Sequence, residues 1–507
     1  MSQAVEYDYV VVGAGTAGSV LAARLSEDGD ARVLLLEAGG SEVPDVMPVP
    51  PAWPRLLGTS SDWGDRTTEQ AAGGASVPLA RGRGLGGSSA INAMVFTRGH
   101  RSSYDAWAAG GAEGWDFDAL LPYLMRSERA QGRDPRTRGQ HGPLTVAPAR
   151  EPNPVLEACL EAAAEAGHRR ARDISSGLEE GFGRPDLNIV DGRRQSAADA
   201  YLTPASGRAG LRVVTGALVQ RVLLDGDRCT GVAYTAGGER VTARATREVV
   251  LTAGAIGTPH LLMLSGIGPH RHLRETGVEA VHDLPGVGSG LQDHVMAGVV
   301  HSAARPVPVA RNNHGEALGL LRSTPAADAP DLQIIFVDVP SHSPALAGPR
   351  EGYTIRVSLM RPHSRGTVRL AAPSPGTAPL VDPRYYSDPR DLRAMVAGIR
   401  AAREIGRARA LDGWRGEEVL PGPDVEDDAA IAAYLHRGLA SYFHPVGTCR
   451  LGTDEGAVVD EELRVRGLEG LRVADASVMP SIVSGNTNAT VYAIAERAAE
   501  FVSRKEA

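Results

Sequence analysis

The chain has 507 residues, enough for two substantial units around a large core. It is 42% hydrophobic and 22% charged with a net charge of −8, the balance of an ordinary globular protein, and no basic block offers itself to nucleic acid. Its three cysteines, Cys159, Cys229 and Cys449, are far apart and lack a C-x-x-C, which argues against a disulfide framework or a zinc site and for a reducing compartment.

Residues 1–6 carry no basic leader region, and no apolar run approaches the roughly 18 residues a membrane span needs. The expectation is a soluble, cytoplasmic protein, monomer or homodimer. Residues 7–12 predict a continuous apolar strand, after which Gly13-Ala14-Gly15-Thr16-Ala17-Gly18 turns into a helix running to Leu25. A second strand over 32–36 ends at Glu37, completing a β-α-β unit that opens a parallel sheet. Residues 41–70, rich in Pro and Trp, read as an extended excursion, and 81–89 as a glycine-rich loop leading into a helix. The same sheet texture resumes at 247–254, running into a helix at 258–264, and at 471–475, ahead of a loop and a helix over 490–502. Between them, 296–304, 332–339, 354–360 and 366–370 predict strands of a different, mostly antiparallel sheet, followed by helices over 389–407 and 427–437.

The predicted fold class is α/β. A Rossmann-like nucleotide-binding domain with a parallel sheet is assembled from discontinuous segments, 1–150, 190–295 and 441–507. An α+β substrate-binding domain with a mostly antiparallel sheet takes 151–189 and 296–440.

Gly13, Gly15 and Gly18 fit G-x-G-x-x-G: the first permits the tight turn, the second lets backbone approach a pyrophosphate, the third lets helix pack on strand. The helix then turns free N–H groups and a positive dipole end toward the phosphates. Glu37 follows Gly18 by 19 residues, the spacing of an acid that binds ribose hydroxyls. This pattern predicts a dinucleotide but does not separate FAD from NAD.

The segment from Arg81 to Met94, with Gly84-Leu85-Gly86-Gly87-Ser88-Ser89 at its centre, resembles the first signature of the glucose–methanol–choline (GMC) oxidoreductases. The run from Gly254 to Gly268 is similar to that family's second signature. Leu291-Gln292-Asp293-His294, His444-Pro445-Val446-Gly447-Thr448-Cys449, Asp475-Ala476-Ser477 and Gly485-Asn486-Thr487-Asn488 continue the resemblance in order.

The resemblance implies FAD as cofactor. It implies that Glu37 and Ala38 meet the adenosine ribose, that Val219 is the backbone partner of adenine, and that Arg83, Leu85, Gly86, Gly87 and Ser88 lie along the pyrophosphate and ribityl chain. Asn92, Ala93, Met94 and Val95 would pass the flavin ring, with Ala253, Gly254, Asp475 and Ala476 beneath the nucleotide and Trp63 packed beside the cofactor loop. Thr487 and Asn488 complete that wall. Where some family members carry a histidine that attaches FAD covalently, this chain has Ile91, so the flavin is expected to be non-covalent.

Oxidising an alcohol through a flavin moves a hydride from the carbinol carbon to N5 and removes the hydroxyl proton, which calls for a base. Among fourteen histidines, His444 alone sits in the family's catalytic motif and is the expected base. Asn486, preferred over Asn488, would orient the hydroxyl and stabilise alkoxide-like charge. The His–Asn pair resembles the alcohol- and choline-oxidising members, so the expected reaction takes a primary alcohol to its aldehyde, with O2 or another acceptor removing the electrons. A cyanohydrin lyase with structural FAD and a flavin photodecarboxylase are the alternatives; no carboxylate-binding group for the latter stands out in sequence. His294 is expected to make a structural bond between domains, Cys449 to be buried, and His314 and His342 to lie in the pocket roof.

Overall fold

The computed structural model describes residues 5–504; residues 1–4, part of the segment 1–6 read for a leader, and 505–507 lie outside the described residues. The strand Val5–Val12 is the middle of a parallel sheet, flanked by Val33–Leu36 on one side and Glu239–Leu251 on the other. Leu211–Val214 extends the sheet beyond Val33–Leu36, and Leu471–Val473 pairs with the last residues of Glu239–Leu251, both in parallel. Strands covered on both faces must be apolar at every position, and the run Val33–Leu36 is buried throughout. Helices Thr16–Leu25 and Asn488–Ser503 lie against each other, tied by Arg24 Nη2 on Glu496 Oε1 at 2.8 Å.

The strand expected over 247–254 is the end of a longer one, which also closes an antiparallel meander with Ala217–Asp225 and Arg228–Ala236. These two strands have partly exposed faces, so the continuous apolar signal that marked the parallel strands is weaker there. The following helix starts at Gly254 rather than 258, because the Asp475 carboxylate caps it, taking the Gly254 N–H at 2.8 Å and the Thr258 hydroxyl at 2.6 Å.

A second sheet runs in the order Arg415–Leu420, Val295–Ala303, Gly352–Leu359, Leu332–Val337, Ala317–Leu321, Gly181–Gly183. Period-two alternation sorts its faces. In Gly352–Leu359, Tyr353, Ile355, Val357 and Leu359 join the core beneath the helices Pro154–Glu165 and Pro389–Gly406, while Thr354, Arg356 and Ser358 occupy the other face. Gly398 lets the long helix come this close: a Cβ there would lie 2.4 Å from Val357 Cγ1.

The segment 366–370 does not belong to this sheet. Gly366–Arg369 sits between Ser289–Leu291 and Leu380–Asp382 in a separate three-stranded sheet. The chain turns away just before it, where the Asp391 carboxylate takes the N–H groups of His363 and Ser364 at 2.7 and 2.9 Å.

Near residue 98 is a buried charge knot. Arg138 donates to Glu128, Asp173 and Asp186, and Arg98 reaches the same Glu128 at 2.6 Å. Four of these side chains, Arg98, Glu128, Arg138 and Asp186, are buried, and each charge is matched by an opposite one. Among the described residues no helix is long and apolar enough to cross a membrane, and no group of three His, Cys, Asp or Glu side chains could hold a metal ion.

Candidate active site

The parallel strands end together, at Gly13, Glu37, Thr252 and Asp475, and an elongated cavity of about 520 Å³ opens beyond them. Outside the carboxyl ends of a parallel sheet is where open α/β folds bind ligands. The G-x-G-x-x-G turn is built for close approach: a Cβ on Gly18 would stand 1.8 Å from Gly13 O. Gly87, at φ +51°, presses its Cα face on Gly15, where a side chain would meet Gly15 Cα at 2.7 Å. Two glycine-rich loops therefore meet backbone to backbone at the helix N-terminus that would receive a pyrophosphate.

Glu37, expected to meet a ribose, holds the two glycine loops together. Its carboxylate accepts the N–H groups of Ala14 at 2.8 Å, Gly39 at 2.8 Å and Gly84 at 3.0 Å, locking both loops to the strand end. Burial raises its pKa while the three N–H donors work in the opposite sense. One carboxylate acceptor position is left facing the cavity. An acid at the adenosine end, a glycine cradle at the middle and small residues Ala253, Gly254 and Ala476 along the floor fit an extended dinucleotide such as FAD.

At the far end of the cavity His444 is half-buried, and its Nδ1 lies 2.9 Å from Nδ1 of His294. His294 Nε2 faces the Met360 carbonyl oxygen at 3.2 Å. The Met360 and Val483 carbonyls both bear on the His294 ring and only accept, so a neutral His294 that donates from Nε2 to Met360 O offers a lone pair at Nδ1 to His444. His444 must then donate from Nδ1, which leaves its Nε2 as the lone-pair nitrogen. Burial draws the His444 pKa down to about 3, and burial followed by the neighbouring His444 draws His294 well below the usual histidine value. Burial thus favours the neutral form of both rings. Asp293 clamps the loop from beneath, accepting the His444 N–H at 2.8 Å and the hydroxyls of Ser441 and Tyr385. Phe443, between them, is held at φ +63°.

Asn486 is held from two sides. The Thr97 hydroxyl accepts its backbone N–H at 3.2 Å and donates to its Oδ1 at 2.9 Å. Gln333 and Tyr442 extend this set, with the Tyr442 hydroxyl donating to Gln333 Oε1 at 2.9 Å and its ring 4.5 Å from that of His444. Asn488 serves elsewhere: its Oδ1 accepts the Thr16 hydroxyl at 2.8 Å, joining the N-termini of two helices.

The roof comes from the antiparallel sheet and its loops, through Asn313, His314, Ile335, Val337 and Arg356, and from Trp53 on the short helical segment Pro50–Leu56. The Trp53 indole donates to Asn313 O at 3.0 Å. His314 places Nδ1 on Asp338 Oδ1 at 2.7 Å and Nε2 on Pro51 O at 3.0 Å, two acceptors that suit an imidazolium. Burial works against that charge, but the Asp338 carboxylate outweighs it and raises the His314 pKa.

Of the residues singled out from sequence, Gly13, Gly15, Thr16, Ala17, Glu37, Ala38, Trp63, Gly87, Ser88, Asn92, Ala93, Met94, Val95, Val219, Ala253, Gly254, His444, Asp475, Ala476, Asn486, Thr487 and Asn488 all line the one cavity. Ala14, Gly18, Arg83, Leu85 and Gly86 do not. Gly18 and Gly86 pack behind the wall, the latter through its N–H on Ala14 O at 2.8 Å, and the Arg83 guanidinium lies 5.1 Å over the Trp63 ring. His342 is likewise outside the cavity, its Nδ1 on Ser343 O. His294 makes the bond between domains expected of it, to the Met360 carbonyl at 3.2 Å, and in addition touches His444. Thr97, Gln333, Tyr442 and Arg356 were missed. An arginine inside the alternating strand 353–359 was a visible signal for the last.

The family model described as GMC oxidoreductase matches residues 7–296 with its N-terminal part and 362–495 with its C-terminal part. An oxygen-dependent choline dehydrogenase of Brucella anthropi is 39% identical, covering 98% of this chain and 95% of its own length. Another of the same name, from Burkholderia lata, is 40% identical over 99% of this chain and 94% of its own. The crystal structure of pyridoxine 4-oxidase from Mesorbium loti superposes with a TM-score of 0.94 at 40% identity, covering 97% of this chain and 98% of that one. A formate oxidase of Aspergillus oryzae superposes at 0.91 with 26% identity over 99% of both chains.

Proposed function

The chain belongs to the GMC oxidoreductase family, FAD-dependent enzymes acting on alcohol-like substrates, and from that premise we propose that it oxidises a primary alcohol to the aldehyde with His444 as base and FAD bound non-covalently. The observation that carries this reading is the His294–His444 contact, which leaves His444 Nε2 unprotonated beside Asn486 in the same cavity. FAD, when bound, supplies the acceptor for the hydride. The remaining work belongs to the chain. The substrate hydroxyl gives its proton to His444 Nε2 while the carbinol carbon gives up its hydride, and a carbonyl forms. Asn486, its Oδ1 engaged by Thr97, turns its amide N–H groups toward the alkoxide-like oxygen. Burial under the antiparallel sheet excludes water, which strengthens these contacts.

Non-covalent attachment is supported by Ile91, an aliphatic side chain in the cavity wall where a linking histidine would sit. The cofactor contacts are proposed for the cavity-lining residues named above. The proposed division into a cofactor domain, 1–150, 190–295 and 441–507, and a substrate domain, 151–189 and 296–440, follows the two large sheets, while two three-stranded sheets, 95–96 with 186–187 and 147–148, and 289–291 with 366–369 and 380–382, join the two. Relatives named as oxygen-dependent or as oxidases favour O2 as the acceptor.

Anaerobic mixing of holoenzyme with a panel of primary alcohols tests the reading: at least one bleaches the oxidised flavin absorbance, and admitting air restores it. Failure of every alcohol to reduce the flavin overturns it. Cyanide release from a cyanohydrin without flavin reduction would assign a lyase instead.

A further inference from the structure

The roof of the cavity carries a charge that nothing in the protein answers. Arg356 lies mid-strand in Gly352–Leu359, registered opposite Ile335 on one neighbouring strand and Gly298 on the other. Its side chain is on the cavity face. Nη1 donates to the Ser341 hydroxyl, Nε is buried without a partner, and Nη2 makes no hydrogen bond among the described residues. The ionisable neighbours that bear on it are two tyrosines, Tyr442 and Tyr434, and no carboxylate. Two acids beside the roof residue His314 and its loop are already committed: Asp338 to His314 and Asn153, Glu316 to Asn153 and Asn312.

Arginine keeps its proton in proteins, so burial cannot be relieved by neutralising it. A guanidinium in the protein interior without a counterion is expensive. Arg98 and Arg138 are paired with acids, and Arg194, which has none, is held by the Met47 and Ser89 carbonyls and Asn92 Oδ1, whereas Arg356 has only the Ser341 hydroxyl. The edge left open, Nε with Nη2, is the fork that takes two oxygens of a carboxylate. Its position sets the geometry of a ligand. Gln333 and Ser358 face each other two residues further along the strands, about 7 Å away, and Gln333 is where Tyr442 and Asn486 converge.

We propose that Arg356 is the substrate-anion site: the alcohol oxidised at His444 carries a carboxylate that Arg356 takes in the roof of the same cavity. This rests on the alcohol-oxidation reading. It also disfavours a quaternary ammonium alcohol, which would bring a second cation beside Arg356 in a chamber without a free acid.

The test compares three alcohols on anaerobic holoenzyme: 4-(hydroxymethyl)benzoate, benzyl alcohol and choline. Reduction by the anion should exceed that by benzyl alcohol by roughly tenfold or more in the ratio of rate to Kd, with choline weakest. In Arg356→Met that preference should fall to about one, and in Arg356→Lys part of it should remain. Titration with benzoate, which cannot be oxidised, gives a readout without turnover: it should perturb the wild-type flavin spectrum and leave Arg356→Met unperturbed. An equal or better response to benzyl alcohol or choline, or a preference for the anion that survives in Arg356→Met, overturns the proposal. If Arg356→Met does not yield holoenzyme, the wild-type series decides. If no alcohol reduces the flavin, the alcohol-oxidation reading fails, and benzoate binding still decides whether Arg356 holds a carboxylate.

Discussion

His294 and His444 meet through their Nδ1 atoms at 2.9 Å, and the Met360 carbonyl on the far side of His294 decides which of the two donates. The second histidine is a positioning residue: it selects the His444 tautomer without reaching the substrate. His294→Ala should retain FAD yet lose about 10- to 100-fold in the rate of flavin reduction, less than His444→Ala at about 10² or more. The discriminating readout is the pH profile, since an unheld His444 samples both tautomers and its acid limb should shift. Unchanged rate and profile in His294→Ala would remove the positioning role.

The acid limb itself follows from burial. With its pKa drawn down to about 3, His444 is neutral, and so active as a base, above that value. Activity is present at neutral pH and lost as pH falls through the folded-state value, so the limb should lie well below the ordinary histidine value of about 6.5. Stopped-flow reduction across acidic to neutral pH measures it. A limb at or above pH 7, by contrast, would mean that a counter-charge holds His444 protonated.

Thr97 controls Asn486 with one hydroxyl that accepts from its N–H and donates to its side chain. Thr97→Val keeps the shape and removes both bonds, leaving a buried amide unpaired at a cost of about 1–3 kcal/mol. The expected result is a drop in the reduction rate comparable to that of Asn486→Ala. The double variant should be little worse than either single one, because the two residues act as a unit. Additive losses would show that Thr97 acts independently.

The Arg98–Glu128–Arg138–Asp186 knot predicts a stability effect without chemistry at the active site. Arg138→Met strands Glu128 and Asp186 as buried carboxylates with one cation fewer, at a cost of about 3–5 kcal/mol. Thermal melts of the holoenzyme should fall by several degrees. A melt unchanged from wild type would show that the pairs contribute nothing net.

The cofactor side was legible in sequence because its determinants are local. A tight turn after a strand needs glycine at Gly13, and an acid at a strand end needs only the spacing to Glu37. The antiparallel sheet was legible in part: Val295–Ala303, Leu332–Val337 and Gly352–Leu359 announce themselves by apolar alternation, whereas the three residues of Gly181–Gly183 are too few to carry a period. The placement of 366–370 failed because alternation defines a strand and not its neighbours; Asp391, more than twenty residues later, redirects the chain there.

What the sequence determined by itself is therefore the family, the dinucleotide cradle and the identity of His444 and Asn486 as the residues to examine. Each of these is written in short runs where backbone conformation dictates the residue type. The tertiary structure decided what those residues can do. His294 reaches His444 across 150 positions, Thr97 reaches Asn486 across 389, and Arg356 faces the cavity with no carboxylate bearing on it, while Asp338 is engaged by His314. Proton position and unbalanced charge depend on distances between segments remote in the chain, and no linear motif contains a distance.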